Sequence, residues 1–199
     1  MMKILHIISS PRKEASFSIK LGNEIIEKLE RRYPGATVKT HDLTQTPFPH
    51  LEEVHLNSFM TEPAKRSEEF AEAAKHSDEA IAELMDADMI VIGAPMYNFS
   101  IHSTLKAWID HVMRSGITFS YSAAGPKGLV KNKKVFLAIS TGGVYSAGPM
   151  KEFDFTEPYL VKALNFIGIT DITTYRVEGT AMPDLKETAL SKAVELVEV

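Results

Sequence analysis

Four short apolar runs, rich in isoleucine and valine, fall at residues 3–9, 87–93, Lys134–Ser140 and 172–177. Each is strand-sized, so each reads as a strand buried on both faces. A fifth stretch, Thr37–Asp42, alternates and reads as a more peripheral strand. Helical patterns separate them. Leu21, Ile25, Ile26 and Leu29 mark the first, stopped by Pro34-Gly35; Phe70, Ala73, Ala74, Ala80, Ile81 and Leu84 mark the second. Leu105, Trp108, Ile109, Val112 and Met113 keep helical spacing closely and place Trp108 in the core. Pro158 opens a fourth helix, which carries Leu160, Ala163, Leu164 and Ile167 and ends at Gly168; Leu185, Ala189, Ala193 and Leu196 mark a last one. Buried strands alternating with helices predict an α/β fold with a parallel sheet and right-handed crossovers.

Two segments depart from the repeat. Residues 44–63 hold three prolines and no clear period, so an excursion over the surface is expected. Residues 116–129 read as a loose hairpin with Gly125-Pro126 at its turn. With no linker or internal repeat, residues 1–199 are expected to form a single domain.

Composition removes several functions. There is no cysteine, which excludes disulfides, thiolate metal sites and thiol catalysis. The net charge of −4 is too mild to indicate nucleic acid or an anionic membrane. No apolar run approaches the roughly 20 residues that cross a bilayer, and the apolar start lacks a cleavage site, so a cytoplasmic protein is expected. Seven histidines are scattered without metal-ligand spacing, and His111 is expected on the wet side of its helix. G-x-S-x-G, G-x-x-x-x-G-K-[ST] and G-x-G-x-x-G are all missing.

In an open parallel sheet, ligands bind beyond the carboxyl ends of the strands. Three loops there carry polar or aromatic residues. The first, "SSPRKEASFS", offers hydroxyls at Ser10, Ser16 and Ser18 beside the opening turn of a helix, which suits a monophosphate; equally, Ser16 is a good N-cap. In the second, Met96, Tyr97, Asn98 and Phe99 offer backbone amides, an amide side chain and flat apolar surfaces to a heterocycle. The third, Ser140, Thr141, Gly142 and Gly143, permits close approach of backbone to a ligand, or simply a tight turn.

"SSPRKEASFS", "PMYNFSIHSTLKAWIDHVMRSGITFSY", "GPKGLV", "STGG" and "NFIGITD" occur in this order, and through them the whole chain resembles the FMN-dependent NADH azoreductases, also described as FMN-dependent NADH:quinone oxidoreductases, of the flavodoxin-like superfamily. The resemblance implies a three-layer sandwich around a five-stranded parallel sheet in order 2-1-3-4-5. It implies a homodimer with one tightly bound FMN per subunit and the active site close to the subunit interface. Ser10, Ser16, Phe17 and Ser18 would then hold the FMN phosphate, Met96, Tyr97, Asn98 and Phe99 the ring edge, and Ser140, Thr141, Gly142 and Gly143 its other end. Tyr121 and Phe166 match aromatic positions of the family's substrate pocket. By the same resemblance, NADH gives a hydride to the flavin, and the reduced flavin passes two electrons to a quinone or an azo bond in ping-pong exchange. No covalent catalytic residue and no metal are required. His102 stands where relatives frequently have proline, Thr141 where some have arginine, and "VYSAGPMKEFDFTEP" follows no common pattern. The other readings are a flavodoxin-type electron carrier, a hydrolase such as a phosphodiesterase using the serine loop, and a sensor or structural domain that keeps the fold but not the flavin.

Overall fold

The computed structural model describes all 199 residues. Strands β1 (Lys3–Ile8), β2 (Thr37–Asp42), β3 (Met89–Pro95), β6 (Lys134–Ser140) and β7 (Asp171–Val177) form one sheet in the order β2-β1-β3-β6-β7, every pair parallel. Counting main-sheet strands alone, this is the expected order 2-1-3-4-5. A separate antiparallel hairpin joins β4 (Phe119–Ser122) to β5 (Gly125–Gly128). Helices α1 (Phe17–Arg32) and α6 (Ala189–Glu195) cover one face of the sheet, and α3 (Glu68–Asp86), α4 (Ser103–Val112) and α5 (Glu157–Ile167) the other.

Side-chain alternation along each strand explains the two layers. Leu5, Ile7, Ile90, Ile92, Leu137 and Ile139 pack on Leu84, Trp108 and Leu164; Ile4, Met89, Val91, Phe136 and Ala138 pack on Leu21, Ile25 and Ala193. Central β3 is buried at every position. Each fully buried leucine or isoleucine contributes about 1.5–3 kcal/mol. No helix is long and apolar enough to cross a membrane.

Four expectations are corrected. Residues 44–63 are no mere surface excursion: they hold α2 (Glu53–Met60), and Leu43 and Phe48 at their start are buried. The helix lacks an apolar stripe because the residues it buries, His55 and Ser58, are polar. Its start is also unusual, with Glu52 as N-cap and its own backbone N–H donating to His55 Nδ1 at 3.0 Å. The hairpin turns at Ala123-Ala124, so Gly125-Pro126 lies within β5, where Pro126 faces Tyr121. His111 is fully buried, its Nε2 bonding the Pro49 carbonyl at 3.0 Å, in a nest of rings with Phe48, His55 and Phe59. Burial pushes its pKa down, against the Pro49 hydrogen bond, which raises it. The last helix is also shorter than its apolar spacing suggests, with Leu185 and Leu196 outside it.

His6 in β1 is buried against Gly22 of α1, where an added Cβ would stand 2.9 Å from its Nε2. Burial lowers its pKa to about 4. The unfolded chain, with a histidine pKa of about 6.5, takes up this proton first, so folding is undisturbed above that pH and loses stability as the pH falls toward 4. The loss reaches about 3 kcal/mol. Urea unfolding followed across this range is expected to show His6→Leu with a correspondingly shallower decline. An equal decline in both proteins would rule out His6 as its source.

Candidate functional site

The ladder brings three loops side by side at the carboxyl edge, because Ile8 pairs with Gly93 and Pro95 with Ser140. Ser9 Oγ donates to Gly93 O at 2.7 Å, and the Met96 amide donates to Ser140 O at 2.8 Å. The groups sequence placed at β1, β3 and β6 therefore share one rim.

In the first loop, Ser10, Ser16 and Ser18 are all buried, and Ser16 Oγ lies 3.0 Å from Ser18 Oγ. Ser16 is the N-cap of α1, accepting from the Ile19 amide at 3.4 Å, so the capping role and a ligand role fall on one hydroxyl. The amides of Phe17 and Ser18 precede the ladder of the helix and remain open to an acceptor. α1, like α4 and α6, has no acid in its first turn, whereas α2 and α5 have one and α3 has two. Its positive end is left for a foreign anion. These hydroxyls and amides form a donor set that suits a phosphate, and the loop's one carboxylate, Glu14, is exposed.

In the second loop, Tyr97 and Ser100 exchange backbone hydrogen bonds of 2.9 and 3.1 Å around Asn98-Phe99. Both central residues have positive φ, 49° and 72°, as a tight primed turn requires. Asparagine tolerates this; phenylalanine does so at a cost of about 1–2 kcal/mol. The turn leaves Phe99 42% exposed at the tip. Of the four amides expected to face a ligand, those of Met96 and Tyr97 are already used in backbone bonds, and those of Asn98 and Phe99 are free. His102 caps α4: its Nδ1 accepts from the Thr104 amide at 3.3 Å. Desolvation lowers its pKa, which favours the neutral ring this acceptor role needs. A cleft of about 620 Å³ opens beside the loop, lined by Tyr97, Asn98, His102, Lys106 and Tyr159.

In the third loop, the Thr141 amide donates to Val177 O at 2.9 Å and Thr141 Oγ1 to Gly143 O at 2.7 Å. Gly179 and Ala181 donate to Gly143 and Gly142 carbonyls, which ties the loop to the tip of β7 and leaves the Gly142 and Gly143 amides free. Six backbone donors, two per loop, thus line the rim beside three buried hydroxyls, and FMN, with an anionic phosphate and carbonyl-rich ring edges, matches that set.

Tyr121 and Phe166 are joined through Phe119, with ring centroids 5.6 and 4.8 Å apart. They do not join the three loops within this chain. Phe166 lies near the last residue of α5, which starts at the carboxyl edge and runs 11 residues, about 15 Å, toward the amino edge. Tyr121 is 69% exposed there. The largest groove, of about 720 Å³, is also remote, between Lys3, Lys39, Glu83 and Asp86; its walls are surface ion pairs, Lys3–Asp86 at 2.5 Å and Lys39–Glu83 at 2.9 Å. His41, His55, His76 and His111 gather around Phe48 and Phe59 without forming a metal-binding group.

The site that sequence reasoning overlooked is the segment before α5. Tyr145 and Phe153 stand around Phe99, at ring-centroid distances of 6.4 and 5.5 Å. Asp154, two residues before Thr156, was a visible helix-start signal.

A five-stranded parallel sheet in the order β2-β1-β3-β6-β7 with helices on both faces is a flavodoxin-like architecture, and residues 2–198 match the family model described as a flavodoxin-like fold. An FMN-dependent NADH:quinone oxidoreductase of Herminiimonas arsenicoxydans is 50% identical over 182 residues, covering 92% of this chain and 89% of its own. One from Rhizobium etli is 44% identical over 199 residues, 100% of this chain and 97% of its own. Among solved structures, an azoreductase of Bacillus anthracis superposes with a TM-score of 0.90 at 31% identity, covering 98% of this chain and 96% of that one. An FMN-dependent NADH-azoreductase from the same species, in complex with FMN, gives 0.86 at 25% identity, with 98% and 97% covered. The chain belongs to the family of FMN-dependent NADH:quinone oxidoreductases.

Proposed function

We propose that this protein is an FMN-dependent NADH:quinone oxidoreductase that also cleaves aromatic azo compounds, with residues 1–199 acting as one FMN-binding domain. The observation that carries this reading is the set of free donors on three adjacent strand tips, with no carboxylate among them. FMN, when bound, supplies the two-electron chemistry that links NADH to the acceptor. The chain's part is binding and orientation. Ser10, Ser16, Ser18 and the amides of Phe17 and Ser18 hold the phosphate. The amides of Asn98 and Phe99, with those of Gly142 and Gly143, donate to the ring edges, where negative charge grows on reduction. Met96, Tyr97 and Phe99 keep water from the ring, and Thr141 shapes the loop that closes its far end. No side chain acts as a nucleophile.

The working form is a homodimer. Tyr121 and Phe166 sit at the far end of α5 in their own chain, so they reach the rim only from a second copy. Exposed Ile117 and Tyr121 suit such a contact better than open water. The charge of −4 and the small-molecule rim fit a cytoplasmic enzyme that acts on neither nucleic acid nor membrane.

Anaerobic mixing of the FMN-loaded protein with NADH tests the reading. Rapid and complete bleaching of the flavin colour, restored by a quinone, is expected. An electron carrier of the flavodoxin type would show no direct reaction with NADH, and that result would refute the assignment.

A further inference from the structure

The segment between β6 and α5 is held unlike the rest of the protein. Residues 146–153 are all exposed, and Asp154 is the one buried side chain between Tyr145 and Phe155. Burial therefore cannot fix it. Even so it follows a defined path: Gly148, at φ 71° and ψ −165°, turns the chain in a conformation open only to glycine, and a short 3-10 helix, Pro149–Phe153, follows. Its aromatic rings lean on the β3 tip, and the Phe155 amide donates to Phe99 O at 2.9 Å.

The fixing groups lie at its two ends. At the start, Glu178 just beyond β7 accepts from the amides of Tyr145 and Ser146 at 2.7 and 2.9 Å, and from Ser146 Oγ at 2.5 Å. At the end, Asp154 accepts from the Thr156 and Glu157 amides at 2.9 and 3.2 Å. Arg176 lies between them. Its Nη2 donates to Asp154 Oδ2 at 2.5 Å and to Glu157, while Nη1 stands 3.7 Å from Glu178 without a hydrogen bond. Three carboxylates thus surround one guanidinium, which offsets their mutual repulsion and joins the two anchors.

Neither neighbouring element needs this network. β7 is paired to β6 along its whole length, from Asp171 to Val177, and α5 is held by Leu160, Leu164 and Ile167 in the core. The part left without other support is the segment itself.

We propose that Arg176 is a positioning residue for the electron acceptor: by tying both ends of segment 145–154 to β7, it holds Tyr145 and Phe153 against Phe99 and so sets the width of the opening above the β3 loop. This rests on the reading that the β3 loop borders the flavin. The aromatic wall admits a narrow quinone and restricts a long azo dye, and its loosening relaxes that choice.

The test uses full-length Arg176→Gln, Arg176→Lys and Glu178→Ala proteins. Tryptic cleavage after Lys151, followed by mass spectrometry without added FMN, reads the clamp alone, and about tenfold faster cleavage is expected in Arg176→Gln. FMN affinity is expected to stay within about threefold, because the phosphate and ring donors are untouched. The ratio of kcat/KM for methyl red over p-benzoquinone is expected to rise about tenfold, with Arg176→Lys intermediate. Glu178→Ala removes the acceptor and frees the Tyr145 end while leaving Arg176 two carboxylates, and decides the matter if Arg176→Gln does not fold. Faster cleavage with an unchanged acceptor ratio would overturn the positioning role, and unchanged cleavage would overturn the clamp. If the unaltered chain takes up no FMN, the functional reading itself falls, and this role with it; the tryptic result then still reports whether Arg176 holds the segment.

Discussion

Gly128→Ala is expected to cost the fold about 3 kcal/mol or more. A Cβ on Gly128 would lie 2.2 Å from the Gly168 nitrogen and 2.3 Å from the Ile167 carbonyl carbon, both backbone atoms that no side-chain rotation can clear. The approach is close from both sides, since Gly168 has a φ of 105° and its own added Cβ would meet Val130 O at 2.6 Å. The hairpin end and the end of α5 therefore dock backbone to backbone, reinforced by the Val130 amide donating to Ile167 O at 2.9 Å. This joins "GPKGLV" to "NFIGITD". Thermal unfolding is the measure, and a fall in Tm of about 6–12 °C corresponds to that cost in a chain of this size. A change under about 1 kcal/mol would mean that the hairpin adapts and that its docking is loose.

The double replacement Ser16→Ala with Ser18→Ala is expected to weaken FMN binding about thirtyfold or more, at about 1–3 kcal/mol for each donor to a buried phosphate. Ser16 also caps α1, and losing the cap costs about 1 kcal/mol of stability regardless of any ligand. Riboflavin separates the two effects because it lacks the phosphate. The account predicts that the variant loses affinity for FMN and keeps its affinity for riboflavin. Equal losses for both would assign the hydroxyls to supporting the loop.

Why some of this could be read from sequence and some could not comes down to what each residue buries. β3 is buried throughout and β6 from Val135 onward, so "MIVIGAP" and "VFLAIS" announce themselves by apolar composition alone. Trp108 falls on a regular apolar stripe and lies in the core as expected. α2 gave no such signal because its inward residues are a histidine and a serine. His111, beside Asp110, looked wet from its neighbour, yet the fold turns it inward onto Pro49, a contact 62 positions away that no local pattern encodes. Pro126 suggested a turn by residue type, but in a two-stranded hairpin an edge position tolerates a residue without an N–H. The strand-tip residues at 10, 16–18, 96–99 and 140–143 came from the expected places, beyond β1, β3 and β6. Which of their amides were already used in pairing was a matter of register, and register is a tertiary fact. The placement of Tyr121 and Phe166 away from the rim likewise follows from the direction of α5, which spacing alone does not convey.

The central claim is that three strand tips jointly hold one FMN. A crystal structure of the protein grown with FMN tests it most directly. The phosphate is expected among Ser10, Ser16 and the Phe17 and Ser18 amides, with the ring running past Asn98 and Phe99 toward Gly142 and Gly143. A flavin bound elsewhere, or a rim closed by the protein's own side chains with no flavin in it, would contradict the account.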